Sequence, residues 1–190
     1  MRPLPRDFYE RDPAKVAVEL LGRMLVRRVP GGIMSGIIVE TEAYYGKGDP
    51  ASRASRKMTK LNWLMWERGG LAFIYPVHGN WLLNVTARES GVPGAVLIRA
   101  LEPADGVDLM MMNRRVPVRM LTSGPGRLTG AMGITSEQNG IDLTLPDSEL
   151  SIVDAGRRIL SVGRSHRIGV RKDLERKLRF FVEGNPYVSR

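Results

Sequence analysis

The chain has 190 residues, 43% apolar and 26% charged, which suits one globular domain with a single core. No apolar run approaches the roughly 18 residues that span a membrane, and the absence of cysteine excludes disulfides, thiolate zinc sites and cysteine nucleophiles. Lys and Arg total 29 against 20 acids, a net charge of +9 that points to a polyanionic partner.

Of those cations, 23 are arginines. Arg grips phosphate through a planar fork where Lys is a point charge. Genome composition or adaptation to heat explains that preference equally well. The opening MRPLPRDFYERD is too charged and too rich in Pro for a secretory signal, so an intracellular place is expected.

Asp12-Pro13 is a helix start, an N-cap acceptor followed by Pro at the first helical position. Val16, Leu20 and Leu21 follow at helical spacing, and Gly22 closes the element. Strand patterns cover Met24 to Arg28 and Ile33 to Tyr44, joined by a turn at Pro30-Gly31-Gly32. Ala51 to Arg56 reads as a polar loop, and a short helix is expected from Thr59 to Arg68, stopped by Gly69-Gly70. A hairpin follows, with strands Leu71 to Pro76 and Trp81 to Ala87 around a turn at residues 77–80.

Ala95 to Glu102 is another apolar strand, ended by Pro103. The segment Ala104 to Arg115 reads as a helix with Met110, Met111 and Met112 as core filler. Ser123-Gly124-Pro125-Gly126 leads into a short helix ending near Gly133. Further strands are expected at Ser151 to Asp154, Arg158 to Val162 and Leu178 to Glu183. No repeat or linker divides the chain. The sum is one α+β domain over residues 1–190, a curved, mostly antiparallel sheet flanked by short helices.

Four placements could carry chemistry. In IIVETEAY, period-two alternation sets Glu40, Glu42 and Tyr44 on one strand face, with the carboxylates about 7 Å apart. Burying two like charges makes at least one harder to ionise unless a cation or hydrogen bonds compensate. The segment alone does not choose between them, and a solvated acidic edge fits equally. Arg99, within the apolar run GAVLIRALE, needs an anionic partner if buried; pairing with Glu40 or Glu42 would satisfy both ends, while an exposed Arg on a one-sided strand is the plainer reading.

The hairpin carries Phe73, Tyr75, His78, Trp81 and Asn84. Aromatics beside a basic surface stack nucleobases or wedge into base steps, although most aromatics are core. The tip at Val77-His78-Gly79 should be exposed. His78 could also serve as a base or a ligand, but with one other histidine and no ligand spacing no metal site is expected. Finally, SGPGR before a helix could contact phosphate through backbone amides, though it lacks P-loop spacing.

Taken together, VETEAYYGKGDPAS (39–52), FIYPVHG, WLLNV, VLIRALEP, TSGPGRL, RIGVRK and LRFFVEGNPYVS resemble, in order, the alkyladenine (3-methyladenine, N-methylpurine) DNA glycosylase family. LPRDFYERD and VAVELLGRMLVRR fit the family's opening, so the likeness spans nearly the whole chain.

The resemblance implies a monofunctional enzyme of base excision repair, without a cofactor. It would flip an alkylated or deaminated purine out of double-stranded DNA and hydrolyse the N-glycosidic bond. Glu42 aligns with the general base, Arg99 with the arginine that holds the water and nearby backbone, and Ile168 with a main-chain contact to that water. Tyr44 and Tyr75 match aromatics that stack on the flipped base; Asn84 matches the asparagine that screens 2-amino purines. Glu40 is left a structural ion pair. No Lys matches a nucleophile, which implies hydrolysis without lyase activity.

Two positions depart from the family. Arg53 stands where it usually has His, and His78 where its hairpin tip inserts Tyr, in a tip one residue shorter. The smaller wedge implies weaker retention of the extruded base, and Arg53 implies an altered substrate range if the imidazole matters. A monomer acting on DNA inside the cell is expected. The other function class is a non-catalytic binder of distorted DNA or structured RNA. A carbohydrate glycosidase would explain neither the charge nor the hairpin.

Overall fold

A computed structural model of the chain describes residues 2–189. Its centre is one curved antiparallel sheet of eight strands, and β2 (Gly32–Tyr44) is the spine. The first half of β2 pairs with β1 (Met24–Val29), and β6 (Leu150–Val153) continues that flank. The second half instead takes β8 (Arg179–Val182), which carries β7 (Val162–Ser165) beyond it. On the opposite edge β2 pairs with β5 (Ala95–Pro103), followed by β4 (Asn80–Thr86) and β3 (Ala72–Val77). At 13 residues β2 is long enough to serve both flanks, and 11 of those residues are buried.

Its pairing with β5 contains two opposed irregularities. Ile38 faces Leu101, Glu40 faces Ala100 and Thr41 faces Ile98, so Val39 on β2 and Arg99 on β5 are each passed over. An extra residue in one strand is a β-bulge, which re-aims side chains locally. Here one bulge on each strand cancels the other, and pairing resumes in step from Thr41 to Tyr44. Beyond Val39 the expected alternation holds. Thr41 donates to the Ala17 carbonyl (2.8 Å) on the core side, while Glu40, Glu42 and Tyr44 face the other way.

The main core lies between the sheet and its helices, α1 (Arg6–Tyr9), α2 (Pro13–Leu20), α3 (Val107–Asn113) and α4 (Pro125–Met132). Asp12 caps α2, accepting from the amides of Ala14 (2.9 Å) and Lys15 (3.3 Å), as the sequence indicated. A second apolar cluster on the other face joins Tyr44, Phe73, Tyr75 and Leu97 to Leu64 and Met65. Helix α4 packs on β4 so closely that a Cβ on Gly126 would come within 2.7 Å of Asn80. The architecture is α+β, as expected.

Three local expectations are corrected. The helix expected over 59–68 is a chain of turns with a single 3-10 turn, Trp63–Trp66. Asn62 is the reason: its side chain accepts from the Thr59 amide (2.6 Å) and donates to the carbonyls of Arg53 (2.7 Å) and Lys57 (3.1 Å). Such local bonds compete with helix. The strand expected at 158–162 lies instead at Val162–Ser165, because the turn at Asp154–Gly156 leads the chain off the sheet and leaves Leu160 90% exposed. Of the three methionines only Met110 is core; Met111 and Met112 are turned outward on α3. The four-residue α1 was not anticipated.

Candidate active site

Glu40 and Glu42 are both fully buried, and two arginines from different strands answer them. Arg99, aimed by its bulge, donates through Nε to Glu40 Oε1 (2.8 Å) and sets Nη1 3.3 Å from Glu42 Oε1. Arg179 on β8 donates to the same Glu40 oxygen (2.7 Å). Ser189 completes that carboxylate, with its amide on Oε2 (2.7 Å) and its hydroxyl on Oε1 (2.9 Å). Two carboxylates against two guanidinium groups make the cluster neutral, which is how a sheet interior tolerates four charges. The sequence allowed Arg99 either carboxylate as a partner; it holds both.

The two carboxylates are then distinguished by what remains. Glu40 already takes four structural donors, three on Oε1 and one on Oε2. Glu42 has a different set: the Ile168 amide on Oε1 (2.7 Å), Arg99 on the same oxygen and the Tyr44 hydroxyl on Oε2 (2.7 Å). A carboxylate offers about four lone-pair sites, so one on Oε2 is left for a further donor. Burial lifts the Glu42 pKa above the ordinary 4.5, against Arg99, the Ile168 amide and Tyr44, which favour the anion. An elevated carboxylate with an open lone pair is suited to accept a proton.

An open cavity of about 1070 Å³ is lined by Tyr44, Arg99 and Ile168, the three groups that contact Glu42, while neither carboxylate itself lines it. Tyr44, Tyr75, Arg53, His78, Arg99 and Ile168 all line it, so six positions singled out from the sequence meet in one place. Tyr44 and Tyr75 are almost wholly buried in the second apolar cluster. The Arg53 guanidinium stands 4.8 Å from the Tyr75 ring centroid. Asn84 is buried opposite Phe73, two rungs from Tyr75, and its amide nitrogen donates to the carbonyls of Phe73 (3.2 Å) and Leu82 (3.4 Å); it does not line the cavity. His78 is exposed at the hairpin tip with φ 48°, followed by Gly79 at φ 76°. Positive φ at both central positions is what a two-residue type I′ turn requires. The cavity also takes in Arg56, Arg171 and Lys172, which the sequence reading did not single out.

Arg167 adjoins these residues and was not singled out from the sequence. Its side chain is fully buried, forks onto Asp49 (2.7 and 2.6 Å), and bonds Asp173 through Nε (2.9 Å) and Nη2 (2.5 Å). It also donates to the Ala43 carbonyl (3.0 Å) and lies 4.6 Å from the Tyr44 ring centroid. This clamp fastens the loop carrying Ile168 to the end of β2, and so sets the Ile168 amide against Glu42. The triply charged run RIGVRK was visible, but the buried partner Asp49 lies 118 residues away, and the nearby Asp173 does not mark Arg167 over Arg171.

The SGPGR segment begins α4 beside a second cation-lined cavity that includes Arg119, Arg127 and Ser123. Among the described residues no three His, Asp or Glu side chains gather as metal ligands would, and no helix is long and apolar enough to cross a membrane.

Comparison with known proteins matches residues 7–186 to the sequence model of the methylpurine-DNA glycosylase (MPG) family. A Koribacter versatilis protein named "Putative 3-methyladenine DNA glycosylase" is 42% identical over 194 residues, covering 100% of this chain and 94% of that protein. A Bacillus subtilis protein of the same name is 41% identical, over 99% of this chain and 97% of that protein. One from Aeropyrum pernix is 38% identical, over 100% and 94% respectively.

Proposed function

The chain belongs to the methylpurine-DNA glycosylase family, and from that membership we propose how its buried carboxylate cuts a damaged purine from DNA. It is a DNA N-glycosylase, and its substrate is DNA containing damaged bases. The reading is of one glycosylase domain over residues 1–190, acting as a monomer on double-stranded DNA within the cell, on alkylated or deaminated purines. The observation that carries it is Glu42: a fully buried carboxylate with a raised pKa and one open lone pair, beneath a cation-lined cavity.

A purine inside the duplex is unreachable, so the nucleotide is rotated into the cavity at a cost of a few kcal/mol, least for damaged or mismatched pairs. Tyr44 and Tyr75 offer stacking faces, Asn84 screens the 2-position by turning from the Phe73 and Leu82 carbonyls toward the base, and His78 enters the space the base has left. Arg56, Arg171 and Lys172 receive the phosphates around it. As the bond from C1′ to N9 lengthens, its electron pair moves to the purine and positive charge grows on the sugar. The Glu42 anion stabilises that charge. It also takes a proton from a water whose oxygen bonds to C1′. Arg99 and the Ile168 amide hold this water and its base in place. The products are an abasic sugar with a hydroxyl on C1′ and a purine, which leaves neutral if it was alkylated and otherwise as an anion that takes a proton from solvent; Glu42 then returns its own proton to solvent. No lysine acts as nucleophile, so the strand stays whole.

The test uses duplex oligonucleotides carrying hypoxanthine, ethenoadenine, 7-methylguanine or 3-methyladenine, with wild type and Glu42→Gln. Wild type should release base and yield strand breaks only after alkali, with no borohydride-trapped complex. Glu42→Gln should lose at least about a hundredfold in rate, as expected for a general base. Tight binding with no release from any lesion would leave the chain a binder of distorted DNA. Activity surviving in Glu42→Gln would move the base elsewhere.

A further inference from the structure

We infer that Arg53 sets the substrate class of this site, favouring neutral 6-oxopurines over purines that carry a formal positive charge. The inference rests on the glycosylase reading above. Its starting point is the Arg53 guanidinium, 4.8 Å from the Tyr75 ring centroid, with both residues lining the cavity. The backbone beneath it is fixed. Asn62, itself buried, donates to the Arg53 carbonyl (2.7 Å), and the Ala54 amide donates to Ser52 Oγ (3.1 Å). Among the described residues no carboxylate forms an ion pair with Arg53.

Two electrostatic consequences follow. A ring face that already attracts one cation gives less to a second, so the cation–π reward for a positively charged purine at Tyr75 is diminished by Arg53. Nor do the carboxylates behind the cavity wall compensate, because Glu40 and Glu42 do not line it and are balanced by Arg99 and Arg179. A cationic base therefore enters a cavity whose walls carry Arg53, Arg56, Arg99, Arg171 and Lys172 and no carboxylate.

Neutral 6-oxopurines meet the opposite situation. An Arg fork matches the O6 and N7 acceptors on the edge of such a ring, the pairing Arg makes most often with guanine. Bond cleavage sharpens the difference. When the C1′–N9 bond breaks heterolytically, a neutral purine receives the electron pair and departs as an anion, which a guanidinium at O6 and N7 stabilises. A purine alkylated on N7 departs uncharged, presents no N7 acceptor and gains nothing comparable. Arg53 thus helps most where the leaving group is poorest, in a base such as hypoxanthine.

The experiment measures single-turnover release from duplexes carrying hypoxanthine or 7-methylguanine, by wild type, Arg53→Ala and Arg53→Lys. In Arg53→Ala the ratio of the hypoxanthine rate to the 7-methylguanine rate should fall about tenfold or more, the discrimination of one bidentate contact. Arg53→Lys keeps the charge without the fork and should fall between. The effect of the 2-amino group of 7-methylguanine is the same in all three proteins, so the change in ratio isolates Arg53. An unchanged ratio, or two rates falling in step, overturns the inference and makes Arg53 a phosphate or loop contact. A wild type that releases neither base refutes the glycosylase reading and the inference with it.

Discussion

The Tyr44 hydroxyl donates a 2.7 Å hydrogen bond to Glu42 Oε2, two residues back on the same strand face. Burial raises the Glu42 pKa, and this bond is one of three influences holding it down. Tyr44→Phe keeps the ring and removes the donor, so the pKa rises further. Only the anion accepts a proton from water, and the rate therefore falls as pH drops through that pKa. The acid limb of the single-turnover profile should lie above the ordinary Glu value of 4.5 in wild type. It should shift to still higher pH in Tyr44→Phe. A limb that does not move would separate Tyr44 from the ionisation of Glu42.

Arg167→Met removes the charge that compensates Asp49, which is 1% exposed, and Asp173. Breaking a buried pair by deleting one partner costs about 3–5 kcal/mol, to be read from urea unfolding. Burial alone would raise the Asp173 pKa, but bonds from Arg167 and from the Arg167 and Leu174 amides hold it below the ordinary 3.8. A depressed carboxylate lends stability above its unfolded pKa and loses it as pH falls through the folded one. The clamp accordingly loosens only in strong acid, and near neutrality the variant should stay the less stable protein.

Glu40→Gln should separate structure from chemistry. It leaves Arg179 without its anion and Arg99 with one carboxylate in place of two, a loss of about 3 kcal/mol. Release of hypoxanthine at 25 °C by the folded variant should fall less than about tenfold, against the hundredfold or greater loss expected of Glu42→Gln. Equal losses in the two variants would give Glu40 a part in the chemistry.

His78→Ala should weaken binding to a lesion duplex about fivefold, on the order of 1 kcal/mol, by leaving the emptied base space unfilled. Release from single-stranded DNA, which needs no wedge, should be unchanged. The measurement is fluorescence anisotropy for binding, paired with single-turnover rates on both substrates. Unchanged duplex binding would remove His78 from the contact.

What the sequence made legible was whatever local periodicity dictates. The strand face shared by Glu40, Glu42 and Tyr44, the hairpin with its exposed His78 and the Asp12 cap all follow from spacing and side-chain chemistry. The stretch around Asn62 misled because helical spacing was read without counting how many backbone groups one amide side chain can capture. Arg167 was missed because its meaning lies in Asp49, far away in the chain. Arg179, a lone cation in LRFFV, could have been found by the same reasoning applied to Arg99, since both interrupt apolar runs that must be buried. The choice between Glu40 and Glu42 was not local at all. It depends on which donors the C-terminal segment delivers to each.

The paired bulges at Val39 and Arg99 matter as a pair. Val39 shares its face with Ile37 and Ala100, opposite Ile38, so it is an extra residue on the cavity side of the sheet. Deleting it alone would restore plain alternation and keep Glu42 and Tyr44 on their face, but would leave the Arg99 bulge unopposed and bend β5 away from its partner. Deleting Arg99 alone would leave Val39 unopposed and remove the guanidinium as well. Length variation in this protein should therefore gather in its turns, and in the spine it should be found in matched pairs or not at all.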